Sequence, residues 1–341
     1  HIFKACGTPV FFPSNVQDIL DMGLHAFAMS RFSGLWSGMK TIQEVVESSS
    51  SVLVDPDRVN IVLPEDFQMP PGGLHIRWPD PPLEQEARLM NYKWYAALAY
   101  VRANKLNHNV IEGPNDRFGI IASGKAYNDT RQALIDLGLD EDTCHQLGIR
   151  LHKVNVVWPL EATITRDFAR GLQEILVVEE KRQVIEYQVK EELYNWRDDV
   201  RPNVVGKFSD DHGGEWSLPN PSTDWLLRPN ADLTPALIAR AIAARLKKLG
   251  VPGHVEVRMQ QRLAVLDARE AALQLAKEAS TGDRTPWFCS GCPHNTSTRV
   301  PEGSRAVAGI GCHYMANWMP DRNTSTFTQM GGEGVTWVGQ A

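Results

Sequence analysis

Residues 118–126, Phe-Gly-Ile-Ile-Ala-Ser-Gly-Lys-Ala, indicate the fold class of this chain. Phe118 to Ser123 is a short apolar run that predicts a buried strand, and Ala126 to Leu137 predicts a helix that Gly138 ends. Two more strand–helix pairs follow, with strands at 149–154 and 174–180 and helices at 163–171 and 183–195. Strands that alternate with helices at this spacing predict an α/β fold with a parallel sheet covered on both faces.

Length and composition limit the classes of protein that this chain can represent. Its 341 residues predict two or three domains at roughly 100–200 residues each. The balance of 35 basic and 41 acidic residues, without a basic block, argues against nucleic acid as a partner. No run approaches the roughly 18 apolar residues of a membrane span, so no membrane partner is expected. Cys6 and Cys144 are isolated, so no disulfide framework is expected and a cytoplasmic location fits best.

The regions that flank the α/β unit are predicted to be mainly helical. Helices are expected over 16–23 and 24–31, with Ser14 or Asn15 as N-cap, and another from Ser33 to about Ser48. Prolines punctuate residues 55–115, which are interpreted as a wrapping linker with one helix over 83–106. The remaining predicted elements are helices over 234–249 and 255–278 and a short apolar strand at 306–308.

Residues 119–126 match the sequence motif of a phosphate-binding P-loop at all but its last position. Ala126 stands where that motif needs the Ser or Thr that binds magnesium, and Ile120 and Ile121 belong to the predicted strand. A nucleotide triphosphatase is therefore disfavoured. Ser123-Gly124-Lys125 nevertheless lies at a strand end and before a helix, which favours contact with an anionic group.

Two other polar positions in the α/β unit can be interpreted as either structural or functional. The segment Glu179-Glu180-Lys181-Arg182 ends the third strand, where α/β proteins commonly place functional residues, but a solvated charge cluster is slightly favoured. His152 lies in an apolar strand and is predicted to be an interior histidine rather than a catalyst.

Three of the five cysteines lie close together near the end of the chain. Cys289 and Cys292 form a Cys-x-x-Cys pattern, and Cys312 follows in a glycine-rich turn. Clustered thiols in a thiol-poor chain indicate a metal site, because a Cys-x-x-Cys turn brings two thiolates to one metal or one cluster edge. Spacing alone leaves three interpretations open: an iron–sulfur cluster, zinc held with His294 or His313, or a Cys312 that is simply buried.

A known family resembles this chain over nearly its whole length. Three segments resemble the start of the thiamine-diphosphate domain of 2-oxoacid:ferredoxin oxidoreductases, above all of the indolepyruvate branch in its long fused form. They are Cys289-Ser290-Gly291-Cys292-Pro293-His294, Gly309-Ile310-Gly311-Cys312 and Thr328-Gln329-Met330-Gly331-Gly332. The end of that family's pyrimidine-binding domain resembles Leu24-His25-Ala26-Phe27-Ala28-Met29-Ser30-Arg31-Phe32-Ser33-Gly34-Leu35-Trp36. Its middle domain, which is similar to the transketolase C-terminal domain, resembles Ala122-Ser123-Gly124-Lys125-Ala126-Tyr127 and Val177-Val178-Glu179-Glu180-Lys181-Arg182.

The resemblance implies an order of domains. Residues 1–54 are the expected end of a pyrimidine-binding domain, 55–115 a proline-rich linker, and 116–215 a transketolase C-terminal-like α/β domain. Residues 216–283 are expected to be a helical linker, and 284–341 the start of a thiamine-diphosphate-binding domain. The expected fold class is multidomain α/β, like that of thiamine-diphosphate enzymes.

The resemblance also implies an activity. It is the oxidative decarboxylation of a 2-oxoacid with thiamine diphosphate and Mg²⁺, with coenzyme A as acyl acceptor and electrons passed through a 4Fe–4S cluster to ferredoxin. The implied substrate is indolepyruvate or another aryl pyruvate, with branched-chain 2-oxoacids as the runner-up. A homodimer is expected, because thiamine sites of this type form where domains or subunits meet.

Residue roles follow from the same resemblance. Cys289, Cys292 and Cys312 are implied to be three cluster ligands, with the fourth expected after Ala341. The implied thiamine-site residues are Gly311, Cys312, His313, Gln329 and Gly331. The magnesium motif, the activating glutamate and the catalytic residues are expected outside this chain, which is interpreted as an inactive internal piece of a larger protein.

Two interpretations from other classes remain. A zinc-stabilised structural or interaction protein accounts for the cysteines without any chemistry. A non-redox thiamine-dependent decarboxylase or synthase accounts for the thiamine-like segments, but it has no use for the Cys-x-x-Cys…Cys site.

Overall fold

The computed structural model describes residues 2–78, 80–209, 225–279 and 285–340 of the chain. The chain divides into two units, residues 1–268 and residues 269–341. The first unit contains the predicted α/β domain, and the second contains the cysteine-rich segment. The predicted domain boundaries after residue 215 and after residue 283 lie outside the described residues.

The regular elements in the described residues are numbered here in chain order. The strands are β1 (Val10–Phe11), β2 (Gly38–Met39), β3 (His108–Ile111), β4 (Phe118–Ser123), β5 (Ile149–Val154), β6 (Val156–Trp158), β7 (Glu174–Val178), β8 (Asn203–Val205), β9 (Ala306–Ala308) and β10 (Thr324–Phe327). The α-helices are α1 (Ile2–Ala5), α2 (Val16–Ser33), α3 (Gln43–Val46), α4 (Pro82–Arg88), α5 (Trp94–Ala103), α6 (Gly124–Asp136), α7 (Glu141–Leu147), α8 (Ala162–Ala169), α9 (Ile185–Leu193), α10 (Pro235–Leu249), α11 (Gly253–Ala279), α12 (His294–Ser297) and α13 (Trp337–Gln340). A π-helical turn, Leu89–Lys93, joins α4 to α5, and 3₁₀-helices span Gly311–Trp318 and Pro320–Arg322.

The main sheet of the first unit has the strand order β3-β5-β4-β7-β8. Strand β4 pairs in parallel with β5 and β7, β7 pairs in parallel with β8, and β3 is antiparallel to β5. The prediction of an α/β fold with a parallel sheet is therefore confirmed. The predicted strands at 118–123 and 149–154 coincide with β4 and β5, whereas β7 ends two residues earlier than predicted.

Alternate side chains of the sheet pack into two separate hydrophobic layers. In β4, Ile120 and Ala122 belong to the layer formed with α6, α10 and α11, and Ile121 belongs to the layer formed with α8 and α9. Successive residues of a strand point to opposite faces, so a strand that is apolar at every position must be covered on both sides. Phe118 to Ala122 is fully buried, in agreement with the predicted double cover.

Helix α10 is part of the core of this α/β domain. The side chain of Thr234 accepts a hydrogen bond from the backbone N–H of Leu237 and caps the helix, with Pro235 in its first turn. Ile238, Ile242 and Leu246 recur at helical spacing on one face and are fully buried in the layer that also contains α6. The helix that the sequence predicts as a linker element therefore covers one face of the sheet.

Strands β1 and β2, at the beginning of the first unit, form a second, smaller sheet with β6, in the order β2-β1-β6. Helix α2 is a single helix where two were predicted, and Asn15 caps it by accepting from the backbone N–H of Asp18 at 2.8 Å. The predicted helix from Ser33 to Ser48 is wrong. Gly34, at φ 70°, ends α2 in the left-handed conformation, and β2 then pairs with β1, so only Gln43–Val46 is helical.

The proline-rich segment contributes the predicted helix as α4, the π-helical turn and α5. Helix α5 packs on α2, where Tyr100, Met29 and Phe11 are fully buried in one cluster. Over the described ranges of the chain, we find no helix with the length and apolar character needed to cross a membrane.

Candidate functional site

The Cys289-x-x-Cys292 segment forms a tight turn in the second unit. The backbone N–H of Cys292 donates to the carbonyl of Cys289 at 3.0 Å, and the side-chain amide of Asn295 donates to the same carbonyl at 2.9 Å. Gly291 has φ 77°, a conformation that side chains of L-residues disfavour. Phe288 anchors the turn, because it is 3% exposed in a small core with Ala316 and Met319.

Two histidines lie beside this turn. His294 Nδ1 lies 3.3 Å from the sulfur of Cys292. The His294 ring stacks on Phe288 at 5.3 Å and on His313 at 5.9 Å, measured between ring centroids. Because His313 follows Cys312 directly, this stack brings the two cysteine segments towards each other. Burial, and then the neighbouring His294, lower the pKa of His313.

The predicted thiamine-site segments occupy one edge of a two-stranded parallel sheet. Strands β9 and β10 pair in parallel. The glycine-rich turn with Cys312 follows β9, and the loop with Gln329 follows β10, so both leave the carboxyl ends of neighbouring strands. That edge is where open α/β sheets commonly bind ligands.

Contacts across this edge join the two segments. The backbone N–H of Gly309 donates to His313 Nδ1 at 2.9 Å. A Cβ atom added at Gly309 would lie 3.1 Å from His313 Nδ1 and 3.8 Å from Cγ of Glu333, so residues from both segments touch this glycine. Glu333 also accepts from the backbone N–H of Gly331 at 2.8 Å, a contact that sequence reasoning missed because no local pattern marks it.

The predicted cluster ligands are accessible, but they do not form a complete ligand set. Cys289 and Cys312 are exposed and Cys292 is half-buried, so the interpretation of Cys312 as a buried residue is wrong. Among the described residues, no three His, Cys, Asp or Glu side chains converge closely enough to hold a metal ion. The assignment of Cys289, Cys292 and Cys312 as ligands therefore stays a prediction.

The P-loop-like segment of the first unit has no phosphate-binding loop. Strand β4 ends at Ser123 and α6 begins at Gly124, so nothing separates strand from helix. Lys125 donates to Asp129 at 2.6 Å and to the carbonyl of Leu233 at 2.8 Å, which directs its ammonium group along α6. This geometry disfavours a nucleotide triphosphatase, in agreement with the Ala126 that stands at the magnesium-binding position.

His152 is the predicted interior histidine. It is 2% exposed, its Nδ1 lies 2.7 Å from Oδ1 of Asn109, and its ring packs against Phe168 at 4.7 Å. Burial, with smaller effects from His108 and Arg150, lowers its pKa to about 3. The ring is therefore neutral at physiological pH and has a structural role.

Comparison with known proteins identifies the family. The sequence model of the indolepyruvate ferredoxin oxidoreductase middle domain matches residues 107–276. The chain belongs to the indolepyruvate ferredoxin oxidoreductase family. The range that matches the family's middle domain begins just before β3 and ends within α11, so it includes the core helix α10. The cysteines of the second unit lie after it.

Relatives of the indolepyruvate ferredoxin oxidoreductase family agree with this assignment. The indolepyruvate oxidoreductase subunit IorA of Pyrococcus abyssi is 26% identical over 97% of this chain and 46% of its own length. The subunit of the same name from Methanothermobacter thermautotrophicus is 27% identical over 55% of this chain and 29% of its own length. This chain therefore spans less than half the length of these relatives.

A solved structure was also found, a 2-oxoglutarate:ferredoxin oxidoreductase from Magnetococcus marinus. It covers 70% of this chain and 42% of its own at 12% identity, with a TM-score of 0.40. That likeness is too weak to support a statement about the fold or the site.

Proposed function

We propose that this chain is part of a 2-oxoacid:ferredoxin oxidoreductase that oxidatively decarboxylates indolepyruvate or another aryl pyruvate to an acyl-coenzyme A. Electrons would pass to ferredoxin. The observation that carries the proposal is the Cys289-x-x-Cys292 turn, with accessible thiols, in a chain of the indolepyruvate ferredoxin oxidoreductase family. The activity is proposed for the full-length protein, as a homodimer in a reducing cytoplasm.

The cysteine segment fits an iron–sulfur cluster by its chemistry. Thiolates are the usual ligands of a 4Fe–4S cluster, and the turn places Cys289 and Cys292 three residues apart around a left-handed glycine. Cys312, in the neighbouring segment, would be the third ligand. Zinc held by cysteines with His294 or His313 would use the same residues. Measurement of the bound metal distinguishes zinc from an iron–sulfur cluster.

The histidines beside the turn have roles that follow from their hydrogen bonds. His294 Nδ1, 3.3 Å from the sulfur of Cys292, can donate to a thiolate there and stabilise its charge. His313 Nδ1 accepts from the backbone N–H of Gly309, so in the neutral ring the proton resides on Nε2. His313 is therefore set to donate from Nε2 to a neighbouring group.

We place part of the thiamine diphosphate site at the carboxyl edge of β9 and β10, where Gly311, His313, Gln329 and Gly331 lie. Backbone groups of the two glycine turns are accessible there, since Gly311 and Gly331 are exposed. Thiamine diphosphate with Mg²⁺ supplies the electron sink for decarboxylation, and the cluster supplies the path for single electrons. The residues of this chain would orient that cofactor and hold the cluster beside it.

The test is an anaerobic assay of iron and acid-labile sulfide, with a visible spectrum, on the full-length protein and its Cys289→Ala variant. We expect the variant to lose about four iron and about four sulfide per chain, together with indolepyruvate-dependent reduction of ferredoxin. The matched control is Cys6→Ala, which removes an exposed thiol outside the cysteine segment and should leave both measurements unchanged.

Two results would contradict the proposal. Zinc in place of iron at this site would remove the electron path and favour the zinc-stabilised structural protein. Unchanged iron and sulfide in Cys289→Ala would show that this cysteine is not a ligand, whatever the metal content of the rest of the protein.

A further inference from the structure

A cavity of about 300 Å³ lies in the first unit at the carboxyl edge of the main sheet. Strands β4 and β7 are parallel neighbours, so Ser123 at the end of β4 and Glu179 after β7 lie at the same edge and both line the cavity. Phe12, Val157 and Trp158, from the small sheet and the residue after β1, line it as well. Carboxyl edges of parallel sheets are common ligand sites.

Helix α6 begins at this cavity with an uncapped N-terminus. Ser123 occupies the N-cap position, yet its side chain makes no capping hydrogen bond. Ser123 is 3% exposed and lines the cavity, and its hydroxyl has no hydrogen-bond partner among the described residues. Because Ser123 lines the cavity, this hydroxyl can bond to a ligand atom there. The first N–H groups of a helix favour an anionic one.

Glycine at position 124 allows an aromatic ring to contact the start of this helix. Gly124 has φ 54°, and a Cβ atom there would lie 2.5 Å from Cζ of Phe12. The Phe12 ring therefore packs directly over the first residue of α6. The same ring lies under Lys40, whose Nζ is 4.3 Å from the ring centroid. An apolar surface and a cation thus meet beside the unpaired Ser123 hydroxyl.

Among the described residues, four basic and two acidic side chains line the cavity. Both acidic groups are engaged by other partners: Glu179 accepts from the backbone N–H groups of Val184 and Ile185 at 2.9 Å. Glu180 accepts from the N–H of Leu233 at 3.2 Å. Lys40 forms no ion pair within the described part of the chain. Burial lowers the pKa of its ammonium group, against the attraction of the Glu180 and Glu179 carboxylates. The lining cations are Lys4, Lys40, Lys181 and Arg182. Of these, Lys181 lies 3.8 Å from Asp232, and Arg182 has a partner of its own.

We propose that this cavity binds a small organic anion with an apolar body. Lys40, the Ser123 hydroxyl and the first amides of α6 hold the anionic group, and Phe12, Val157 and Trp158 contact the body. A volume of about 300 Å³ is at the lower end of ligand pockets, which fits a small molecule and not a dinucleotide. The cysteine segment belongs to the other unit, so this site is additional to the proposed cluster site.

Calorimetric titration of the full-length protein with benzenesulfonate tests the proposal. Benzenesulfonate has a permanent negative charge and an apolar ring, sulfate has the charge alone, and benzenesulfonamide has the ring without the charge. We expect benzenesulfonate to bind at least about tenfold more tightly than either of the others, since ring and charge each contribute. Lys40→Met should weaken benzenesulfonate binding by about tenfold or more, and Ser123→Ala by about threefold.

The control variant is Lys247→Met, which removes a lysine on α10 whose side chain is 67% exposed. It should keep wild-type affinity. Wild-type affinity in both Lys40→Met and Ser123→Ala would overturn the proposal, because binding would then take place elsewhere in the protein. Equal binding of benzenesulfonamide would exclude recognition of the anion, and equal binding of sulfate would exclude recognition of the apolar body.

Discussion

At the scale of single residues, a buried ion pair joins α10 to the main sheet. Arg245 on α10 donates to Glu174 at the start of β7, with an Nε–Oε1 distance of 2.6 Å and an Nη2–Oε2 distance of 2.5 Å. The side chains are 7% and 4% exposed, so loss of one partner leaves a buried charge. We expect Arg245→Met to lower the free energy of unfolding by about 3–5 kcal/mol, measured by urea denaturation.

The same helix offers a matched control for this ion pair. Arg240 pairs with Asp267, whose side chain is 64% exposed, and exposed pairs contribute little to stability. Arg240→Met should therefore cost less than about 1 kcal/mol. Adding Glu174→Gln to Arg245→Met should recover part of the lost free energy of unfolding, because it removes the buried carboxylate charge that has lost its partner. If Arg245→Met and Arg240→Met lowered the free energy of unfolding equally, the electrostatic explanation would be contradicted.

At the scale of elements, the close contact of β4 with the layer that contains α8 depends on Gly119. A Cβ atom at this position would lie 2.4 Å from Cδ1 of Leu172 and 2.8 Å from Cζ of Phe168. An added methyl group must push these side chains, and the layer with them, away from the sheet. We expect Gly119→Ala to lower the free energy of unfolding by about 1–3 kcal/mol, measured by urea denaturation.

Gly253→Ala is the control for this steric effect. A Cβ atom at Gly253, the first residue of α11, meets no atom within 4 Å, so the change in stability should stay within about 0.5 kcal/mol. Leu172→Ala introduced with Gly119→Ala should reduce the clash. If Gly119→Ala alone were as stable as the wild type, the layer would be free to shift without cost, and the prediction would fail.

At the scale of the whole molecule, the two units have hydrophobic cores of very different size. In the described residues, the first unit has buried clusters on both faces of the main sheet and between α2 and α5. The cluster of the second unit has Phe288, Ala316 and Met319 as its buried members. A small core leaves little free energy to offset the conformational entropy of the chain, so such a segment is only marginally stable.

This difference predicts independent folding of one unit and not of the other. A protein of residues 1–279, which keeps α11 intact, should unfold cooperatively in urea and show a near-ultraviolet circular dichroism spectrum of fixed aromatic side chains. Residues 285–341 alone, without metal, should show neither. Protected amides in β9 and β10 of the isolated segment, or gradual unfolding of residues 1–279, would contradict this expectation.

Much of the main sheet is predictable because its signal is local. The segments at 118–123 and 149–154 predict β4 and β5 to the residue. Residues 118–122 carry no polar side chain, as expected of a strand buried on both faces, whereas residues 149–152 alternate apolar residues with Arg150 and His152. The helical periodicity that predicts α10 and α11 places their ends within two residues of those observed. These patterns depend on residues that are neighbours in the chain.

Predictions fail where the structure depends on distant partners. Residues 33–48 are predicted to be helical, but Gly38 and Met39 instead pair with β1, which lies nearly thirty residues earlier. The short strand β6 was not predicted, and it pairs with β1 from far along the chain. Such short strands carry almost no periodicity, and their propensity is set by the neighbours they pack against.

For the candidate sites, the sequence by itself determined the local chemistry: the Cys289-x-x-Cys292 pattern, the charged end of β7, and Ser123 before a helix. Tertiary structure decided which groups meet. It stacks His294 on His313 and brings Lys40 over Phe12, beside Ser123. The physical reason is that periodicity and turn residues act over a few positions, whereas contacts between distant segments depend on how their buried surfaces pack together.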